Sequence, residues 1–196
     1  MRRVVLRCCA GVALAWLVAG AATGEQSGLT YSPWAKVCLG DACFVGRDGR
    51  LKIESVDCGP VVSATLIART GNTRKTLRVI LPTRVKVERG VRIILDQAQA
   101  IERPFTSCFA SGCFADYDAG PDLVDQLKQG HTLALEAIDK ANSPISLIVP
   151  LAGFADAYDG PPQETTVIEL SKEEMQATSE EEKRAEEERR ARCEAQ

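Results

Sequence analysis

The stretch CFASGCFADYDAG, residues 108–120, contains the residue types best suited to chemistry in this chain. Cys108 and Cys113 are separated by four residues, and Cys38 and Cys43 repeat that spacing earlier in the sequence. Thiols at this distance can share a zinc ion, exchange electrons or close a short loop as a disulfide. The cellular compartment decides between these chemistries, because thiols oxidise outside the cytosol and stay reduced within it.

The acidic residues after Cys113 match a calcium-binding loop only at its start. Asp116, Asp118 and Asp122 lie at spacings that faintly resemble such a loop. Pro121 stands where the loop requires glycine, and Leu127 where it requires the bidentate glutamate. We therefore interpret these aspartates as surface acids that flank a turn.

His131 is the sole histidine, so every catalytic arrangement that uses a histidine would depend on it. Nothing near it resembles an activated nucleophile. The sequence contains neither a phosphate-binding G-x-x-x-x-G-K-S/T loop nor a G-x-S-x-G nucleophile elbow. We predict no catalytic, cofactor-binding or metal-ligating residue, and no cofactor.

The N-terminus has the charge and hydropathy pattern of a secretory signal peptide. Three arginines within the first seven residues precede an apolar run that ends among small residues near Ala22. The run is shorter than a membrane-spanning helix needs, and no later segment approaches that length. We predict a signal peptide over 1–24, with no membrane span in the mature chain. The mature protein is expected to be periplasmic or associated with the outer membrane.

The charge balance argues against a nucleic-acid partner. Loss of three arginines with the signal leaves 21 basic and 27 acidic residues, a formal charge near −6. Binding to phosphates depends mainly on Lys and Arg. The expected partner is an envelope or host protein of unknown identity.

The mature chain keeps an even number of cysteines, which are Cys38, Cys43, Cys58, Cys108, Cys113 and Cys193. An even count in an exported protein is typical of disulfides, and we predict the local pairs Cys38–Cys43 and Cys108–Cys113. A zinc site built from these four thiolates remains the alternative. Cys58 and Cys193 could pair, link two chains or stay free, and a dimer through Cys193 is the most testable of these hypotheses.

The body of the chain has short apolar runs, mostly of two-residue period, separated by turn residues. KTLRVILP alternates and stops at Pro82, VKVERGVRIILD resembles a hairpin around Gly90, and PISLIVPLAGF is a further strand-like run. PDLVDQLKQG has the Pro-first, Gly-last pattern of a helix. The sequence predicts an all-β fold, an antiparallel β-sandwich or partly open barrel with one short helix inserted and a charged C-terminal helix.

Four motifs together resemble a known family. Trp34-x3-Cys38, ILPTRVKVERGVRIILD, PFTSCFASGCFADYD and PLAGFADAYDGPP occur in the order seen in the invasion-associated locus B family of exported Gram-negative proteins. The resemblance covers about 34–162. It implies a disulfide-bonded, all-β envelope domain with no known catalytic activity. Structural roles are implied for the motif residues Trp34, Pro104, Phe105, Gly112, Gly153 and Phe154.

We expect four segments: the signal peptide (1–24), a short linker (25–33), an invasion-associated locus B-like β domain (34–162) and a charged tail, helical or partly disordered (163–196). The predicted function is a non-enzymatic, exported binding or envelope-associated protein, and the resemblance adds a host-interaction role as a hypothesis. The alternatives are a four-cysteine zinc or thiol-redox protein, and a structural subunit of an envelope complex attached through its tail.

Overall fold

The computed structural model describes residues 29–53, 56–109, 111–163 and, in the tail, 180, 183–185, 187, 188 and 191. Side chains within 52–60 are not described. The predicted signal peptide and Cys193 lie outside these residues, as does the side chain of Cys58.

Strands dominate the described chain and form two antiparallel sheets, which confirms the all-β prediction. The strands are Leu29–Tyr31 (β1), Ala35–Leu39 (β2), Ala42–Ile53 (β3), Val56–Arg69 (β4), Lys75–Leu81 (β5), Val91–Leu95 (β6), Ile101–Arg103 (β7), Ser107–Phe109 (β8), Gly112–Ala119 (β9), Thr132–Ile138 (β10) and Pro144–Pro150 (β11). The first of them falls within the stretch 25–33 that the sequence suggested as a linker.

The two sheets face each other as an open sandwich. The larger sheet has the order β1-β3-β4-β5-β9-β8, and β2 pairs with the same edge of β3 as β1 does. The smaller sheet has the order β11-β10-β6-β7. No strand pairing among the described residues joins the sheets into a closed barrel.

The two-residue alternation of each strand produces the core between the sheets. In β5, Leu77, Val79 and Leu81 are fully buried, whereas Arg78 and Ile80 face the opposite side of the sheet. The other strands of both sheets supply apolar side chains to the same core in this way. Removal of these side chains from water is the main driving force for closing the sandwich.

Tyr117 ties the two sheets together through a polar contact inside the core. Its side chain extends from β9 and is 1% exposed, and its hydroxyl donates a hydrogen bond to the carbonyl of Val91 in β6, at 2.8 Å. Burial raises the pKa of the Tyr117 hydroxyl. The phenol therefore stays neutral and keeps its proton for this bond.

The helix expected from PDLVDQLKQG is present as α1, Pro121–Gln129. Pro121 occupies its first turn, and its buried stripe consists of Leu123, Val124 and Leu127. This stripe packs at the edge of the core beside β9. Helix α1 therefore covers one end of the sandwich.

A second helix, α2, spans Phe154–Asp159 where the sequence suggested a continued strand. The run PISLIVPLAGF pairs with β10 only as far as Pro150. Gly153 then adopts a left-handed conformation (φ 86°) and begins the helix. This turn directs the side chain of Phe154 into the core, where it is fully buried.

The predicted hairpin around Gly90 is wrong. Residues Val87–Arg89 form a 3-10 turn, and Val85 forms a bridge with Asp139 instead of pairing with β6. Strand β6 pairs with β7 and β10, which lie farther along the chain. In this non-local arrangement Val85 is only 1% exposed. Its burial is energetically favourable, and the local hairpin pattern does not reveal it.

From residue 180 onward, the described residues of the charged tail are all helical and exposed. Among the described residues, none of the helices has both the length and the run of apolar side chains that a membrane span requires.

Candidate functional site

Each C-x4-C pair forms a disulfide within a hairpin. Cys38 and Cys43 lie directly opposite each other in β2 and β3, and Cys108 and Cys113 do so in β8 and β9. The Cα atoms of each pair are 4.0 Å apart. Each disulfide therefore locks the register of one short hairpin.

The two disulfides lie far apart, at diagonally opposite corners of the larger sheet. On the neighbouring strands, Cys43 pairs with Ala68 near one end, and Cys113 pairs with Leu81 near the other. From the usual spacing between neighbouring strands and the rise per residue along a strand, the two disulfides are roughly 20 Å or more apart. The four sulfurs therefore do not converge on one zinc ion. The described residues also contain no group of three or more His, Cys, Asp and Glu side chains placed to hold a metal.

The outer face of the larger sheet, which points away from the core, carries a set of apolar side chains that we call the outer band. Its members alternate with inward-facing neighbours along β2, β3, β4, β5, β8 and β9, and they are Val37, Leu39, Phe44, Ile67, Ile80, Phe109 and Phe114. No helix or strand of the described chain packs over this face. The outer band therefore leaves apolar surface in contact with water.

The two most exposed members stand beside the disulfides. Leu39 is 54% exposed and follows Cys38 directly, and Phe109 is 62% exposed and follows Cys108. Exposure of large apolar side chains is unfavourable for an isolated chain, so clusters of apolar side chains on a surface commonly mark an interaction site. The disulfides hold these two side chains on rigid hairpins at the ends of the outer band.

A charged pair lies at the centre of the outer band. Arg78 donates two parallel hydrogen bonds to the carboxylate of Asp116, each 2.7 Å long. The hydrogen bond to Asp116 is the largest cause of the raised pKa of Arg78. The guanidinium also lies 5.9 Å from the centroid of the Phe114 ring, which packs edge-on against Phe109 at 5.6 Å. One of the aspartates that first resembled metal ligands is thus the partner of an arginine.

The motif residues at the two ends of the β domain meet at one corner of the sandwich. Trp34 packs edge-on against Phe154, with ring centroids 5.0 Å apart, and its indole N–H donates to the Pro150 carbonyl at 3.1 Å. The Arg47 guanidinium lies over the Trp34 ring and also donates to Pro150, at 2.7 Å. Desolvation of Arg47 lowers its pKa. These contacts fasten the start of the β domain to the turn that begins α2.

The second group of motif residues supports the Cys108–Cys113 hairpin. Phe105 is buried, at 8% exposed, just before β8. Gly112 has φ 141°, and a Cβ at this position would lie 2.5 Å from a methyl carbon of Ile80 and 2.8 Å from the Leu81 carbonyl oxygen. A glycine is therefore required for the hairpin to lie close against β5.

The sequence contains a local signal for the outer band in the strands that carry the cysteines. In β9, Cys113 and Phe114 are adjacent, so a cysteine that faces the core places Phe114 on the outer face. The same alternation applies to Cys38 and Leu39. The strand order that brings these residues onto one face depends on non-local pairing, which the sequence pattern does not reveal.

Comparisons with known proteins place this fold in a family. The family model described as "Invasion associated locus B (IalB) protein" matches residues 34–162. A crystal structure of invasion associated protein B from Bartonella henselae has a similar fold, with a TM-score of 0.56 and 23% sequence identity over 66% of this chain and 92% of that chain. No curated protein matches the chain closely enough to count as a relative. Because the family model spans more than half of the sequence, this chain belongs to the invasion associated locus B (IalB) family.

Proposed function

We propose that this chain is a non-enzymatic, exported binding protein that recognises a protein of the bacterial envelope through the outer band. The observation that carries the proposal is the apolar face of the larger sheet, which ends at Leu39 and Phe109 beside the two disulfides. Membership of the IalB family, whose members are exported bacterial proteins, supports the location. The host-interaction role is the second form of the same proposal, with a host protein as the partner.

The aromatic side chains at one end of the outer band are held rigidly. A partner that covers the outer band removes the aromatic rings of Phe109 and Phe114 from water, and aromatic side chains dominate the energy of many interfaces. Both rings are already held by their mutual contact and by the Cys108–Cys113 disulfide. Little conformational entropy is then lost on binding, so a small buried interface area can still give a high affinity.

The charged pair within the outer band supplies specificity. Arg78 and Asp116 are 41% and 29% exposed, and each satisfies the other in the free protein. A partner that covers them must leave this pair intact or replace both halves with matching charges, because an unpaired buried charge is costly. Partners without such a match are rejected.

Affinity capture from the native envelope tests the proposal. Wild-type protein is expected to retain a protein partner that the Leu39→Ser/Phe109→Ser double variant loses. Val87→Ser is the matched control, since Val87 is also a large exposed apolar residue, at 44%, but lies outside the outer band. Equal capture by all three proteins would overturn the proposal. Retention of a protein only from host-cell extract would favour the host-interaction form.

Export is tested separately by N-terminal sequencing of protein taken from the periplasm. We expect the mature chain to begin just after Gly24, or after Ala22. A chain that retains the arginines of residues 1–7 would contradict cleavage of a signal peptide.

A further inference from the structure

A cavity of about 370 Å³ opens between helix α2 and the inward-facing side of the larger sheet. It lies at the end of the sandwich beside the Cys38–Cys43 hairpin, on the opposite side of the sheet from the outer band. Its lining residues are Lys36, Cys43, Val45, Leu66, Ala68, Tyr158 and Asp159. This volume lies within the range of small-molecule sites in proteins.

The floor of the cavity is apolar. Val45 and Leu66 are 3% and 1% exposed and belong to the core, so the cavity reaches the core edge from outside. Ala68 and Cys43 pair directly across β3 and β4 and form the wall on the side of the hairpin. A small side chain at Ala68 keeps this wall recessed. The shape and chemistry suit a hydrocarbon chain.

One cationic group, the ammonium of Lys36, lies at the side of this apolar floor. It donates hydrogen bonds to the carbonyl oxygens of Tyr158 and Gly160, both at 2.9 Å. These carbonyls lie at the C-terminal end of α2 and fix the position of the ammonium. An ammonium has three N–H donors, so one donor remains after these two bonds.

The positive charge of Lys36 has no carboxylate partner in the described part of the chain. The nearby carboxylate of Asp159 is instead bound by Lys128, at 2.7 and 2.9 Å from its two oxygens. Two neutral carbonyls orient the ammonium without cancelling its charge. A ligand anion at the remaining donor would form a charge-assisted hydrogen bond.

We propose that this cavity binds a single-chain amphiphile with an anionic head group, such as a fatty acid. The hydrocarbon chain lies on Val45, Leu66 and Ala68, and the head group accepts a hydrogen bond from the Lys36 ammonium. The Tyr158 ring covers the chain at the mouth. This site faces the core side of the sheet, so it is independent of the partner surface proposed above.

Calorimetric titration with three probes separates the contributions of chain and head group. Decanoate carries both, decyltrimethylammonium has the same chain with the opposite charge, and acetate has the head group alone. We expect saturable binding of decanoate with one site per chain, and no measurable binding of the other two. Equal binding of decanoate and decyltrimethylammonium would overturn the proposal, as would the absence of decanoate binding.

Three variants locate the site. Lys36→Met keeps the length of the side chain and removes its charge, and it should weaken decanoate binding about tenfold or more. Lys140→Met, at an exposed turn position, should bind as the wild type does. Ala68→Leu fills the cavity and should abolish binding while thermal unfolding remains cooperative. Unchanged affinity in Lys36→Met or in a folded Ala68→Leu protein would contradict the assignment.

Discussion

At the scale of single residues, the structure explains why several motif positions have the side chains they do. The Trp34 indole packs edge-on against the buried ring of Phe154 and donates a hydrogen bond to the carbonyl of Pro150. Position 112 requires glycine because Ile80 and the Leu81 carbonyl lie too close for a Cβ. Position 117 uses the tyrosine hydroxyl for a hydrogen bond across the core to Val91. These residues act on stability and on side-chain positions, so their substitution is expected to change the free energy of unfolding.

Gly112→Ala should destabilise the protein strongly. The new Cβ would meet Ile80 and the Leu81 carbonyl at less than 3 Å, at a φ that suits glycine alone. We expect a loss of roughly 1–3 kcal/mol in the free energy of unfolding. Urea titration measures it, and Ser111→Ala at the neighbouring exposed position is the control. A change no larger than that of the control would refute the packing argument.

Tyr117→Phe removes one hydrogen bond between the sheets and keeps the ring. The carbonyl of Val91 then lacks its hydroxyl partner in a buried site. We expect the free energy of unfolding to fall by about 1 kcal/mol. Fluorescence-monitored urea unfolding checks this value, and an equally stable variant would show that the bond contributes nothing net.

At the scale of elements, the disulfides act locally, because each closes a hairpin with four residues between its cysteines. The chain-entropy contribution of such a short loop is small compared with that of a long-range crosslink. The two disulfides hold Leu39 and Phe109 at the ends of the outer band. Turn geometry at other element boundaries depends on single side chains, and Asp96 is the clearest case.

Removal of one disulfide by paired Cys→Ser substitution should lower the free energy of unfolding by about 2 kcal/mol. Because the Cys38–Cys43 and Cys108–Cys113 pairs lie on opposite corners, removal of both should give the sum of the two losses. Urea titrations of the two paired variants and of the four-serine variant provide the measurement. A large departure from additivity would contradict the separation of the two hairpins.

The Asp96 carboxylate contributes to the free energy of unfolding, and this contribution is lost at acid pH. Its carboxylate accepts hydrogen bonds from the backbone N–H of Thr132 and of His131, at 2.8 and 3.0 Å, and the bond from Thr132 is the largest cause of its lowered pKa. A lowered folded-state pKa stabilises the protein above the ordinary carboxyl pKa, and this contribution disappears as pH falls through the folded value. The side chain of His131 is the titratable group that faces it, 3.8 Å away.

Asp96→Asn suits the left-handed backbone at this position (φ 50°) and removes the charge. We expect the variant to be less stable than the wild type near neutral pH, and the difference to shrink as pH falls from the ordinary carboxyl pKa through the lowered folded pKa of Asp96. Unfolding titrations across this range measure the difference. A difference that stays constant with pH would show that the charge has no role.

At the scale of the whole molecule, local sequence signals predicted the class of fold and much of its content. Alternation in KTLRVIL, the Pro and Gly limits of α1, and the C-x4-C spacing of the two cysteine pairs each depend on neighbouring residues only. The outer band, the pairing of Val85 with Asp139 and the meeting of Trp34 with Phe154 depend on residues far apart in sequence. No local pattern encodes such contacts, so these features needed the structure.

The two remaining cysteines of the predicted mature chain, Cys58 and Cys193, bear on how copies of this chain assemble. The side chains of Cys58 and Cys193 lie outside the described residues, so a dimer linked through Cys193 stays a prediction. We expect a covalent dimer on a non-reducing gel of wild-type protein, and its loss in Cys193→Ser. Persistence of the dimer in that variant would exclude this linkage.

The proposed function requires the outer face of the larger sheet to contact a partner protein in the cell envelope. Site-specific photo-crosslinking in intact cells tests it most directly, with the crosslinker placed at Phe109, at Leu39 or, as a control on the smaller sheet, at Glu102. We expect the same discrete protein adduct from the first two positions and none from the third. Adducts from Glu102 alone, or no adduct from either position in the outer band, would contradict it.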